Sequence, residues 1–177
     1  ASEAASPQRF GWDRDGYIGA GPQPGGWRDG WGACFVELRL RPQLALAGDL
    51  CLSGEWLDRL LTGLRQRLEG HAPSPALVHG DLWGGNAGAL NDGRGALYDP
   101  ASWWADREVD LAMTRMFGGF SAMFYGAYNE VLPHRSGWEE RIEIYNLYHL
   151  LNHANLFGGG YRQQCRQSIR LLKQRFD

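Results

Sequence analysis

The chain has 177 residues, 44% of them hydrophobic and 21% charged, with a formal net charge of −2. That is the size and balance of one soluble domain or one large lobe able to bury a core, and it excludes a collagenous or wholly disordered chain. No apolar run approaches the roughly 18 residues of a membrane span, the first twenty residues show no signal-peptide pattern, and the slightly acidic balance gives no basis for capturing nucleic acid or an anionic membrane.

Taken in chain order, the opening segment is rich in glycine, with eight of the 25 glycines falling in residues 1–32. It reads as a long loop anchored by Phe10, Trp12, Tyr17, Trp27 and Trp31. Residues 28–48 carry a mostly helical pattern that Pro42 interrupts or kinks. From Ser53, a candidate N-cap, to Glu69 the residues Trp56, Leu57, Leu60, Leu61, Leu64 and Leu68 recur at helical spacing. After the breaker His71-Ala-Pro-Ser-Pro75 comes a short apolar run over 76–78. A polar, glycine-rich segment follows, and then Asn91-Asp-Gly-Arg-Gly95 marks a hairpin between 87–90 and 96–99. The remainder predicts helices over 108–117, 120–132, 138–157 and 160–175, broken at Gly118-Gly119, Pro133 and Gly158-Gly-Gly160. The third of these is apolar on most sides, so it is expected to be buried among others. The architecture is therefore mainly α with one small β-hairpin unit.

Two counts narrow the chemistry. Cys34, Cys51 and Cys165 are odd in number and far apart, which suits reduced cytoplasmic thiols better than a disulfide framework or a zinc site. Of 18 basic residues only Lys173 is a lysine. A reaction that places a lysine on a phosphate must use that one or obtain its lysine elsewhere.

The residues that carry chemistry lie in the middle: His79-Gly-Asp81-Leu-Trp-Gly-Gly-Asn86, the hairpin, then Asp99-Pro100. A carboxylate, an amide five positions later and a second carboxylate after a hairpin form the set that phosphoryl transfer needs. One carboxylate orients the attacking hydroxyl and takes its proton; the amide and the other carboxylate are hard oxygen ligands for magnesium. Turn chemistry alone also favours Asp and Asn in such loops. Asp106, Glu108 and Asp110 sit where first-turn carboxylates favour a helix N-terminus. His149 and His153, at i and i+4 with no third ligand nearby, read as core histidines.

The segment Leu77–Asn86 resembles the catalytic loop of the aminoglycoside-phosphotransferase-like kinases, and more narrowly that of the fructosamine kinase (ketosamine 3-kinase) family. Further matches are Phe10–Gly19 with Pro22-Gln23-Pro24, Asp99–Met113, Phe117-Gly-Gly-Phe120 and Leu147–His153 with Phe157-Gly158, so the likeness spans about residues 9–161. The resemblance implies ATP-dependent phosphorylation of a ketosamine hydroxyl, on a small molecule or a glycated protein, in the service of deglycation. It implies ATP and Mg²⁺ as cofactors, Asp81 as catalytic base, Asn86 and Asp99 as metal ligands, His79 and Asp110 as braces of the loop, and Trp83 beside the acceptor. Trp83 as a core aromatic is the competing reading.

The family fold is protein-kinase-like and α+β, and its N-terminal lobe supplies a phosphate-covering loop and a lysine. No segment before residue 76 reads as that sheet, and Gly19-Ala-Gly21 is followed at once by Pro22 and Pro24. The chain therefore looks like the C-terminal lobe alone: residues 1–32 as the Gly/aromatic loop after the hinge, and residues 33–177 as a helical lobe with a catalytic loop at 79–86 and a metal-binding hairpin at 87–100. Surface near residues 10–31 is then expected to meet the missing lobe or a second chain. The alternatives are an aminoglycoside or other small-molecule hydroxyl kinase, and a non-catalytic lobe fragment.

Overall fold

The computed structural model describes residues 7–50 and 54–176. Seven α-helices run over Trp31–Phe35 (α1), Arg41–Leu46 (α2), Glu55–His71 (α3), Glu108–Met116 (α4), Ala122–Val131 (α5), Trp138–Phe157 (α6) and Gly160–Phe176 (α7). Eight strands of three residues each accompany them: Phe10–Trp12 (β1), Gly16–Ile18 (β2), Gly21–Gln23 (β3), Gly26–Arg28 (β4), Ala76–Val78 (β5), Ala87–Ala89 (β6), Gly95–Leu97 (β7) and Trp103–Ala105 (β8). Helices α3 to α7 begin and end within two residues of the positions expected from periodicity, and the first helical segment begins three residues later than expected. Ser53, the expected cap of α3, lies outside the described residues; Gly54, at φ +98°, immediately precedes that helix.

The opening segment differs from the loop expected of it. The anticipated hairpin is present as β6-β7, but residues 10–28 add β1 to β4, which form a second hairpin, β2-β3, and, with β5 and β8, a four-stranded antiparallel sheet in the order β4-β1-β8-β5. The glycines that suggested a loop are what allow these strands to approach closely. Gly11 has φ +123°, and a Cβ there would lie 1.9 Å from the Gly26 carbonyl oxygen on the paired strand. Its other partner is Trp104, far along the chain. Three-residue strands with remote partners leave no periodic trace.

Pro42 does not break the helical run; a π-helical stretch over Val36–Leu40 joins α1 to α2. Proline has no N–H to offer the carbonyl four residues back, and Arg39 Nη1 donates to that oxygen, on Leu38, at 2.9 Å.

The core centres on α6, whose buried residues (Ile144, Tyr145, Leu147, Tyr148, Leu151 and Ala154) face several directions at once, as its composition predicts. Trp31 packs against Phe10, Phe35, Trp103 and Tyr145 with ring centroids 5.2 to 5.8 Å apart, and its indole N–H donates to the Tyr145 hydroxyl at 3.0 Å. These contacts fasten α1, the sheet and α6 into one body. By contrast, none of α5 is buried. Among the described residues no helix is long and apolar enough to cross a membrane. Cys34 and Cys165 are buried free thiols; Cys51 lies outside the described residues.

Candidate active site

Strand β5 delivers the chain to His79, where it must turn sharply. Gly80 makes the turn at φ +83°, and a Cβ there would stand 2.2 Å from the Ala101 carbonyl oxygen. Only glycine satisfies both demands. The turn is held from below by Asp110 on α4, whose two carboxylate oxygens accept from the backbone N–H of His79 (2.7 Å) and of Gly80 (2.9 Å). Burial raises the Asp110 pKa, while those two amide bonds and His79 oppose the rise.

The His79 ring spans the loop. Its Nε2 lies 2.9 Å from the Tyr98 carbonyl oxygen, and its Nδ1 accepts from the Asp81 backbone N–H at 3.3 Å. This pairing assigns the ring proton to Nε2 and leaves Nδ1 as acceptor. A 3₁₀ turn over Gly84–Asn86 then brings Asn86 back, and its side-chain N–H₂ donates to the Asp81 carbonyl (2.9 Å) and to Asp81 Oδ2 (3.1 Å). With both donors committed, the Asn86 Oδ1 oxygen accepts no hydrogen bond from any described residue. The hairpin β6-β7 closes when the Tyr98 N–H donates to the Asn86 carbonyl at 3.1 Å. It releases Asp99 in the left-handed conformation, φ +56°, with its side chain exposed.

The structure thus brings His79, Asp81, Asn86, Asp99 and Asp110 into one neighbourhood. Burial pushes the Asp81 carboxyl above its ordinary range, and the nearby negative charge of Asp99 adds to that rise. His153, His79 and the Asn86 hydrogen bond pull it back. A carboxylate tuned between these influences suits a proton acceptor.

Trp83 is 40% exposed and so is no core aromatic. It leans over Gly85, where a Cβ would meet the indole at 2.2 Å, and stands edge-on to Phe117 at 6.2 Å. Phe117 in turn meets His153 at 5.0 Å, and His153 meets Tyr161 at 5.1 Å. From sequence, His153 reads as a core histidine and Phe117 only as part of a family match, and neither is assigned to the site. His149 is a fully buried core histidine, as expected, but His153 is only partly buried and borders Asp81. Both His149 ring nitrogens lack partners, and His153 Nδ1 is bonded to the His149 carbonyl at 2.8 Å.

One further cluster has ligand-type side chains, namely His71, Asp106 and Glu108. Its oxygens are already occupied. Arg141 takes both Glu108 oxygens at 2.6 and 2.9 Å. Asp106 accepts from the Glu108 N–H, from the Tyr145 hydroxyl and from His71 Nε2. This is a buried ion network tying α3, α4 and α6 together, and it does more for Asp106 and Glu108 than the helix dipole alone.

Asp110→Asn keeps the shape but turns one acceptor into a donor facing an amide. It is expected to destabilise the protein by about 1–3 kcal/mol, the cost of a buried polar group left unmatched. Urea unfolding checks this: the midpoint should fall at unchanged slope.

A helical body holding this Asp–Asn loop and a hairpin-borne Asp has a kinase-like fold. The model of the fructosamine kinase family matches residues 2–175, and the chain belongs to that family. It is 48% identical over 170 residues to a probable ketoamine kinase of Synechocystis sp., covering 95% of this chain and 57% of that protein. The crystal structure of a candidate fructosamine-3-kinase from Haemophilus somnus 129PT superposes with TM-score 0.86 at 31% identity, over 94% of this chain and 57% of the other. A second, from Thermobifida fusca YX-ER1, gives TM-score 0.82 at 36% identity, over 97% and 60%. The chain therefore spans little more than half the length of these relatives.

Proposed function

We propose that this chain is the catalytic and metal-binding lobe of an ATP-dependent kinase that phosphorylates a sugar hydroxyl of a ketosamine. The observation that carries the reading is the Asp81 carboxylate. One of its oxygens is held by Asn86, the other accepts no hydrogen bond from any described residue, and its backbone is braced through His79 and Asp110. The free oxygen is placed to orient an acceptor hydroxyl and take its proton. Asn86 Oδ1 and the exposed Asp99 carboxylate are the hard oxygen donors that magnesium prefers, and Asn86 has no other use for that atom. A magnesium ion held there would neutralise charge on the transferring phosphoryl group.

The acceptor side is aromatic. Trp83, two residues after Asp81, and Phe117, which stands edge-on to that indole, present partly exposed aromatic rings suited to a sugar carrying a protonated amine, since ring faces attract cations. Lys173 lies over Trp56, 5.4 Å from the ring centroid, so the lysine for the nucleotide phosphates is proposed to come from outside this chain. Phosphorylation of small-molecule ketosamines, and of glycated proteins in deglycation, are the roles this reading supports.

An acceptor panel tests it in the protein that contains this chain. Fructosyl- and ribulosyl-amines should be phosphorylated with kcat/KM at least about tenfold above aminoglycosides, a difference of ~1.4 kcal/mol in transition-state binding. Equal rates on both classes, or preference for aminoglycosides, would overturn the acceptor assignment.

A further inference from the structure

Gln23 closes strand β3 and is only 6% exposed. Its side chain joins two remote parts of the chain. The amide Nε2 donates to the Ala101 carbonyl at 3.1 Å, and Oε1 accepts from the Tyr148 hydroxyl on α6 at 3.0 Å. Burial holds the Tyr148 phenol protonated, with its pKa pushed up to about 12, so the hydroxyl has a proton to donate. That bond sets the orientation of the amide and leaves Nε2 facing Ala101.

Ala101 follows Asp99 by two residues. Its N–H donates to the His79 carbonyl at 2.9 Å, so both of its backbone polar groups are held, one by the loop and one by Gln23. On the other side of Asp99, Tyr98 is held in the same way. Its N–H donates to the Asn86 carbonyl at 3.1 Å, and its own carbonyl accepts from His79 Nε2 at 2.9 Å. Between these two anchors Asp99 has φ +56°. A residue with a side chain keeps that left-handed conformation only where its surroundings over-determine it. Three of the four anchoring bonds come from His79 and Asn86 themselves. The fourth, from Gln23, ties the segment to β3 and, through Tyr148, to α6.

We infer that Gln23 is a positioning residue for metal binding: by holding the Ala101 carbonyl it sets where the Asp99 carboxylate stands relative to Asn86 Oδ1. The inference rests on the reading of Asp99 and Asn86 as the magnesium ligands. Groups that orient a metal's ligands without touching the ion typically carry about 10- to 100-fold of its affinity.

Calorimetric titration of ADP into the protein that contains this chain, with excess Mg²⁺ and with a chelator in its place, tests this without turnover. The ratio of the two affinities is the gain due to the metal. Unfolding removes sites without changing the affinity of those that remain, so the ratio separates positioning from lost stability. Wild type should show a gain, and Asp99→Ala should abolish it. Gln23→Leu should cut it about tenfold. Tyr148→Phe, which keeps the glutamine but frees its amide, should cut it about threefold and decides the matter where Gln23→Leu fails to fold. Gln43→Leu is the control: Gln43 is also buried, but its side chain bonds to Asn152 and Asn155, and the gain should persist. A gain that Asp99→Ala abolishes but that Gln23→Leu and Tyr148→Phe leave intact, or that Gln43→Leu cuts equally, would overturn the inference alone. No gain in wild type, or a full gain in Asp99→Ala, would overturn the metal reading beneath it.

Discussion

Replacing Asp81 with Asn is expected to lower kcat by about 10²–10⁴, the usual contribution of a positioned general base, while leaving KM for the ketosamine nearly unchanged. The amide is isosteric and can still meet Asn86, so the loop keeps its bonds through His79 and Asp110. What is lost is the ability to take a proton at the free oxygen. Because burial is the largest influence on Asp81 and raises its pKa, the wild-type rate should also fall with acid at a pH above the ordinary aspartate range of about 3.9. Steady-state kinetics on the two proteins test this. A kcat within about threefold of wild type would remove Asp81 from the chemistry. Asp110→Asn offers the contrast: its first effect is on stability, since its carboxylate touches only loop backbone.

The second large effect concerns His149. It is fully buried, its two ring nitrogens lack partners, and burial lowers its pKa to about 3. An unfolded chain binds a proton there near pH 6.5. Above that value both states are neutral and the residue has no pH-linked effect. As the pH falls below it, the unfolded state takes up the proton while the native state refuses it, so stability is lost until the native pKa is reached. Between pH 7 and pH 5 the loss from this one residue is about 2 kcal/mol. His149→Leu removes the proton site and also two unpaired polar atoms, so the variant should be more stable at pH 7 and still more so, relative to wild type, at pH 5. Urea unfolding at several pH values gives the comparison. Parallel stability curves for the two proteins would contradict the assignment.

The helices were legible because their apolar residues recur with the helical period: Leu60, Leu61, Leu64 and Leu68 are the buried face of α3, as their spacing implies. The loop from His79 to Asn86 was legible through residue type and spacing, and the structure gathers its polar groups as that spacing suggested. The strands before residue 30 were not. Gly11 looks like a loop residue, yet its lack of a side chain is what permits β1 and β4 to pair. Similarly, α6 is apolar on so many sides that no pattern could show that His153 turns toward Asp81 while His149, one turn earlier, faces the core. The burial of Arg39 depends on Trp103 and Pro24, which are remote from it in sequence, and local pattern carries no record of such pairings.

The measurement that bears most directly on the central claim is ³¹P NMR of a mixture of Mg-ATP, a fructosyl-amine and the protein that contains this chain, followed over time beside its Asp81→Asn variant. A new sugar phosphomonoester signal growing in step with ADP, and slowed by about 10² or more in the variant, is the predicted result. Formation of inorganic phosphate without an ester, or an ester formed equally fast by the variant, would contradict it.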